Sequence, residues 1–411
     1  AELLATTYPQ NPVFAHLAHT LIGYVFGNLL NLSSVISYHI GRGLFGLIFI
    51  LLTFVFFYRI SGSKKISIIS FLLVFFVSGF PKLLSINPFL FGRHFDWLQE
   101  QNIIGRAVGP LHYSAGFIFF ILAFLWYFSP EKNLLKKILI FGLLLNLTLI
   151  ANPFAFLIIG AAFAIYILFN IKQIKITVPS FLLTIPLFIY NQHLLSIKPW
   201  GNLGVAPKFY VITHQPILFL ETIMSIGPIF FLGIAGIISV LFINKAKIRH
   251  QVSSFSIIIF LICWLTVQFF LFFFGDYFKL DPLRSFSGLY YLPLAYFSAI
   301  FINKLTKNFY KQLLIIIFLI ILTLPNYYLS YKEQLFAFTD FKNFSQFTYP
   351  TVQQVTAFKF LEKNIPGLQQ MGMQFMTGGS QEELRRQIIQ KAIDIACLQD
   401  PLPSDAASFN K

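Results

Sequence analysis

Apolar runs of membrane-spanning length recur along the whole chain, separated by short polar stitches. A run of about 20 apolar residues crosses bilayer hydrocarbon as a helix, and shorter runs are tolerated inside a bundle. On that measure helices are predicted over 13–32, 34–58, 66–80, 112–128, 138–150, 154–169, 176–190, 217–243, 255–274, 286–302 and 313–328. The first run is flawed as a span because it carries His16, His19, Asn28 and Asn31. It reads as interfacial or packed within the bundle. The expected fold class is all-α: a polytopic integral membrane helical bundle of about 10–11 transmembrane helices.

Composition supports the same class. The 411 residues are 57% hydrophobic and 11% charged, with a mean hydropathy of +0.73. A soluble domain of that make-up could not cover its own surface. The 53 phenylalanines read as lipid-facing filler rather than an aromatic box. Cys263 and Cys397 give no disulfide or metal framework. No GxxxxGK[ST] phosphate loop is present, which argues against a pump driven by ATP.

The formal charge of +15 resolves into topology. One set of short loops carries Arg59, Lys64, Lys65, then Lys132, Lys136, Lys137, then Lys172, Lys175, then Lys245, Lys247, Arg249, then Lys304, Lys307, Lys311. Glu131 is the one acid among them. The alternate loops, 81–111, 191–216 and 275–285, are longer and mixed, with the tight turn 151–153 between two of them. By the positive-inside rule the basic loops are cytoplasmic, and the long loops and the C-terminus are extracytoplasmic. Nucleic acid is then not needed to explain the charge. The expected setting is the cytoplasmic (inner) membrane, with chemistry on the outer face.

Three parts follow. Residues 1–331 form the transmembrane helical domain, and 332–366 begin an extracytoplasmic segment. Residues 367–411 are an atypical soluble tail whose composition departs from the rest, with an amphipathic helix expected over 382–398. The chain opens AELLATTYP without Met or a signal-like segment, and reads as beginning inside a longer protein.

Several stretches carry a family likeness: TTYPQNPVFAHLAHTLIGYVFG at the start, SSVISYHIGRGLFG, GPLHYSAGFIFFILAF, LIANPFAF and LDPLRSFSGLYYLPLAYFSAI, with YPTVQQVTAFKFLEKNIP after the last helix. In that order they resemble the GT-C membrane glycosyltransferases, specifically the bacterial branch near the protein O-mannosyltransferase-like and aminoarabinose transferase-like enzymes. The resemblance implies transfer of a sugar from a polyprenyl-phosphate donor to a glycan, lipid or protein acceptor on the extracytoplasmic face. In that family an acid in the first outer loop serves as general base or metal ligand. This chain starts just after that loop, where Glu2 is the only acid left, so the catalytic residue is expected upstream of Ala1.

A lipid-phosphate donor needs cations at the membrane boundary, because phosphate charge cannot enter hydrocarbon unpaired. Arg284 stands at the expected outer mouth of a helix, where pairing with Asp281 or snorkelling is its structural alternative. His39 and Arg42, three apart on one helix face, are placed similarly, with packing or pairing to an acid as the alternative. Arg93, His94 and Arg106 read as solvated loop. For a base, or a carboxylate-bound divalent metal, the weak in-chain candidates are Asp96 and Glu100, four apart. Their alternative is a short solvated helix. Asp276 and Asp281 flank Lys279 and are neutralised by it and Arg284 on the bland reading. Trp97 and Tyr290 are the candidate sugar or acceptor contacts, although aromatics at bilayer boundaries need no such role.

Two other classes stay open. A secondary transporter or lipid flippase predicts mid-membrane ionisable residues, broken helices in paired positions and an internal repeat. A cell-surface polysaccharide polymerase or ligase would also set arginines near a large outer loop.

Overall fold

The structure, a computed structural model, describes residues 22–32, 34–80, 111–196, 219–243, 252–275 and 288–339. The chain divides into two compact units. One, Ala15–Tyr190 with Gln215–Lys332, holds nearly all of the described helices. The other, Ala1–Phe14, Asn191–His214 and Glu333–Lys411, is described only where two helices run into it. The tail 367–411 and most of the segment expected over 332–366 lie outside the described residues.

The helices are α1 (Ser34–Ser61), α2 (Lys64–Phe76), α3 (Leu111–Tyr127), α4 (Leu134–Ala151), α5 (Pro153–Phe169), α6 (Ile174–Leu182) and α7 (Ile185–Ser196). Then come α8 (Phe219–Ile226), α9 (Pro228–Ile243), α10 (Val252–Phe274), α11 (Tyr291–Leu305) and α12 (Phe309–Thr339). No strand occurs among the described residues. Three helices are long and apolar enough to cross a membrane: Ile36–Ser61, Leu134–Ala151 and Phe255–Phe274. The bent pair α6–α7 makes a fourth if taken as one span. Shorter apolar helices, Leu111–Tyr127, Pro153–Phe169, Pro228–Phe242 and Phe309–Pro325, complete the bundle.

Apolar side chains face outward as well as inward. On α1, Leu44, Leu47, Leu51 and Val55 form an exposed stripe at helical spacing, while Phe49, Thr53, Phe56 and Phe57 point into the protein. Leu135, Leu139 and Leu143 on α4 repeat the pattern, as do Leu314, Phe318 and Ile321 on α12. A helix apolar on all sides belongs in a buried or lipid environment. The protein is therefore a multi-pass membrane bundle.

Polar atoms go inward. Thr53, Thr148, Ser180, Ser298 and Thr323 are buried, and each hydroxyl donates to the carbonyl four residues before it. This keeps the group satisfied where water is absent. Rings fill the rest of the interior. Trp264 of α10 lies with its ring centroid 4.6 Å from Phe120 and 6.2 Å from Phe56. Phe163 and Phe260 meet at 4.4 Å.

Four expected helices depart from their sequence reading. The run 176–190 is two helices, α6 and α7, bent by 43°. Pro179 lies inside α6 and withholds a backbone donor, and the Thr184 hydroxyl donates to the Phe181 carbonyl at 2.7 Å in the turn. The run 217–243 is split at Gly227, whose φ of +78 suits glycine alone among common residues. A Cβ there would overlap the Ser78 carbonyl. The run 66–80 stops as a helix at Phe76. Residues beyond it cross to other helices, with the Phe80 amide donating to the Met224 carbonyl at 2.9 Å and the Ser78 amide to Thr323 Oγ1 at 3.3 Å. The first run is described only from Ile22, as a π-helical turn, Gly23–Leu29, that leaves through Asn31 at φ +52.

Side-chain contacts gather the described basic loops at one end. The Lys65 ammonium donates to the Lys307 carbonyl, and Lys304 Nζ to Ser239 Oγ at 3.2 Å. The Tyr296 hydroxyl reaches the Ile60 carbonyl at 3.4 Å. The last turn of α3 joins the first of α6 through Tyr127 and Thr177, 2.9 Å apart. Phe56 and Phe124, 5.1 Å apart, tie the two groups together. The starts of α1, α3 and α11 lie at the other end.

Candidate functional site

That other end collects His39, Arg42 and Tyr290. Arg42, one turn after Tyr38 on α1, sets its guanidinium carbon 5.7 Å from the Tyr38 ring centroid. His39 meets the same ring edge-on at 5.9 Å and is exposed, while Tyr38 and Arg42 are half-buried. A guanidinium near an aromatic face gains a cation–π attraction, which helps to hold Arg42 in this position. Tyr38 is fixed in turn by a hydrophobic cluster of Ile22, Leu111, Ala115 and Ala151 with Phe26, Phe45 and Phe119. The start of α1 is thus anchored on the start of α3 and the end of α4.

Three residues that the sequence reading did not name as site candidates belong to the same end. His112 and Tyr113 open α3, with rings 4.3 Å apart. Asn152 links α4 to α5. Its Oδ1 accepts from the Phe154 and Ala155 amides at 3.1 Å, with Pro153 at the first helical position. This is the Asn–Pro pattern of a helix start. Its side chain is 2% exposed, packs on Gly116 of α3, and its Nδ2 has no hydrogen-bond partner among the described residues. Asn-Pro in the sequence announced the turn; nothing there announced its burial.

Tyr290 has different neighbours. It is fully buried just before α11, 4.4 Å from the Tyr291 ring and 6.5 Å from Phe269 of α10. Asp96, Trp97, Glu100 and Arg284 lie outside the described residues, as do Arg93, His94, Arg106, Asp276 and Asp281. Among the described side chains Glu131 is the one carboxylate, and it sits in a basic loop. Its carboxyl is held below the usual carboxylate range, first by the Asn133 amide at 3.0 Å and then by Lys136 at 3.1 Å. Among the described residues no group of three or more His, Cys, Asp and Glu could hold a metal ion. The described part of this end therefore carries a guanidinium and the imidazoles of His39 and His112, and no carboxylate is among its described side chains.

No protein-family model matches the chain, and no curated protein matches it. Among solved structures it is similar to the oligosaccharyltransferase of Archaeoglobus fulgidus, crystallised with an acceptor peptide containing the NVT sequon tethered through a disulfide bond. The identity is 13% and the TM-score 0.48, over 89% of this chain and 51% of that one. The chain spans about half the length of that protein.

Proposed function

We propose that the protein is a GT-C-type membrane glycosyltransferase that moves a sugar from a polyprenyl-phosphate donor to an acceptor on the extracytoplasmic face of the cytoplasmic membrane. The observation that carries this reading is the seat of Arg42 on Tyr38, beside His39, at the end of the bundle away from the lysine loops. A donor phosphate at the membrane boundary needs such a cation, because its charge is otherwise unpaired. In this reading Arg42, His39 and Arg284 hold the phosphate. Trp97 and Tyr290 contact the sugar or the acceptor.

The reaction balances simply. An acceptor oxygen or nitrogen attacks the anomeric carbon. The bond from that carbon to the phosphate oxygen breaks, and the lipid phosphate leaves with the electron pair. The acceptor proton goes to a carboxylate, for which Asp96 and Glu100 are the in-chain candidates. If a divalent metal takes part, Asp96 and Glu100 are the in-chain carboxylates that would hold it.

The test is sugar transfer from a labelled polyprenyl-phosphate donor in membranes containing the full-length protein. Arg42→Ala should reduce transfer strongly and Arg42→Lys should retain part of it. Unchanged donor binding and turnover in Arg42→Ala would remove that residue from the site. The breaks at α6–α7 and at Gly227 favour a second reading, a transporter or flippase. Translocation of the lipid-linked sugar in liposomes without any acceptor would select it.

A further inference from the structure

We propose that the joined α1–α2 and α11–α12 loops form a binding surface for the head groups of anionic phospholipids. The two loops are far apart in sequence, and the Lys65 ammonium on the Lys307 carbonyl holds them together. Arg59, Lys64, Lys65, Lys304, Lys307 and Lys311 all come from this pair. Neither 59–65 nor 303–312 contains an Asp or Glu. Exposed ammonium groups crowded without an acid repel one another, and an anion relieves that repulsion. The α3–α4 loop is built differently: there Glu131 pairs with Lys136 at 3.1 Å, so part of its charge is already met.

Hydrophobic neighbours decide between a lipid and a free phosphate. Leu305, Tyr310 and Leu314 are 59%, 76% and 64% exposed beside these cations. They offer surface to acyl chains and gain nothing from an inorganic ion. Below the surface the connection is built to keep its shape. Gln312 is fully buried, and its amide donates to Asn303 Oδ1 at 3.2 Å and to the Thr306 carbonyl. The Asn308 side chain caps α12 by accepting from the Tyr310 amide at 2.9 Å. The cations therefore stand on a fixed turn rather than on a floppy one.

The test is native mass spectrometry of the full chain released from nanodiscs of mixed phosphatidylcholine and phosphatidylglycerol. Wild type should retain phosphatidylglycerol in preference to phosphatidylcholine. Replacing the exposed Lys64, Lys307 and Lys311 together by Gln should lower that retention by about five-fold per lysine removed. Replacing all three by Arg should keep it. The pair Lys132→Gln and Lys136→Gln on the α3–α4 loop should leave it unchanged. Equal retention of the two lipids by wild type would overturn the proposal without use of any variant. So would equal loss in the control pair, or displacement of the lipid by inorganic phosphate at constant ionic strength. Sugar transfer is not the readout, so failure here leaves the glycosyltransferase reading standing.

Discussion

Gly236 of α9 lies directly against the carbonyl oxygen of Phe297 on α11, with no room for a Cβ between them. One turn earlier Gly233 faces Leu294, where an added Cβ would stand 2.7 Å from a Leu294 methyl carbon. The Ser298 hydroxyl crosses the same seam, 3.1 Å from the Ile229 carbonyl. Small residues let membrane helices approach closely, and dispersion then holds them without help from water.

Gly236→Ala should therefore destabilise the bundle by about 1–3 kcal/mol, because backbone and not a flexible side chain must move. Gly43→Ala is the control. Gly43 is exposed in α1 with open space around it, so alanine there should be neutral or stabilising by up to roughly 1 kcal/mol. Thermal unfolding of the purified protein in detergent compares the two. Equal midpoints would mean that the seam is looser than described.

Asn152 gives a sharper contrast. Asn152→Ala removes the cap of α5 and should cost about 0.5–2 kcal/mol. Asn152→Ser keeps a capping oxygen and discards the buried amide donors, which have no partner among the described residues. The serine variant should therefore unfold closer to wild type than the alanine variant does. The reverse order would show that a capping oxygen at this position does not stabilise the start of α5.

The long helices were legible in the sequence because hydropathy alone marks a span. Readings of 34–58 and 255–274 fall within three residues of α1 and α10 at every end. Breaks were less legible. At Leu183 and Thr184 the residues stay apolar or neutral, so no charge or glycine marks the turn. At Gly227 the Gly-Pro signal was present, and the largely apolar residues on both sides outweighed it. Inward and outward faces could not be told apart either, since a helix that is apolar all round has no useful amphipathic period. His39 and Arg42 stood out as rare charge in an apolar setting, and they do lie together on Tyr38. His112 was read only as the start of a span, because one histidine beside a long apolar run carries no pattern of its own.

Glu131 predicts a pH dependence with a definite sign. Its folded carboxyl titrates below its unfolded value, through the Asn133 amide first and Lys136 second. The stabilisation it supplies is thus complete above the unfolded carboxylate range. It is lost as pH falls through the folded value. Glu131→Gln should lower the unfolding midpoint slightly at neutral pH, and the two proteins should converge in acid. The effect stays small because the pair is solvent-screened. A difference that widened in acid would contradict this origin.

Tyr127 and Thr177 make the last prediction, and it turns on which group donates. The Thr177 hydroxyl has a carbonyl acceptor at Gln173, 3.0 Å away, and Tyr127 lies 2.9 Å from the same oxygen. With one proton on each hydroxyl, Thr177 donates to Gln173 and Tyr127 donates to Thr177. Tyr127→Phe then removes a donor and leaves Thr177 with its own bond intact, so its cost should be about 1 kcal/mol or less. Thr177→Val strands the Tyr127 hydroxyl among Phe141 and Phe163, whose rings lie 5.0 and 4.4 Å from its own. That should cost about 1–3 kcal/mol. The double variant should lie close to Tyr127→Phe, because removing the tyrosine hydroxyl abolishes the stranded group. A double-mutant cycle by denaturant unfolding in detergent measures the coupling, and additive losses would exclude a direct bond between the two hydroxyls.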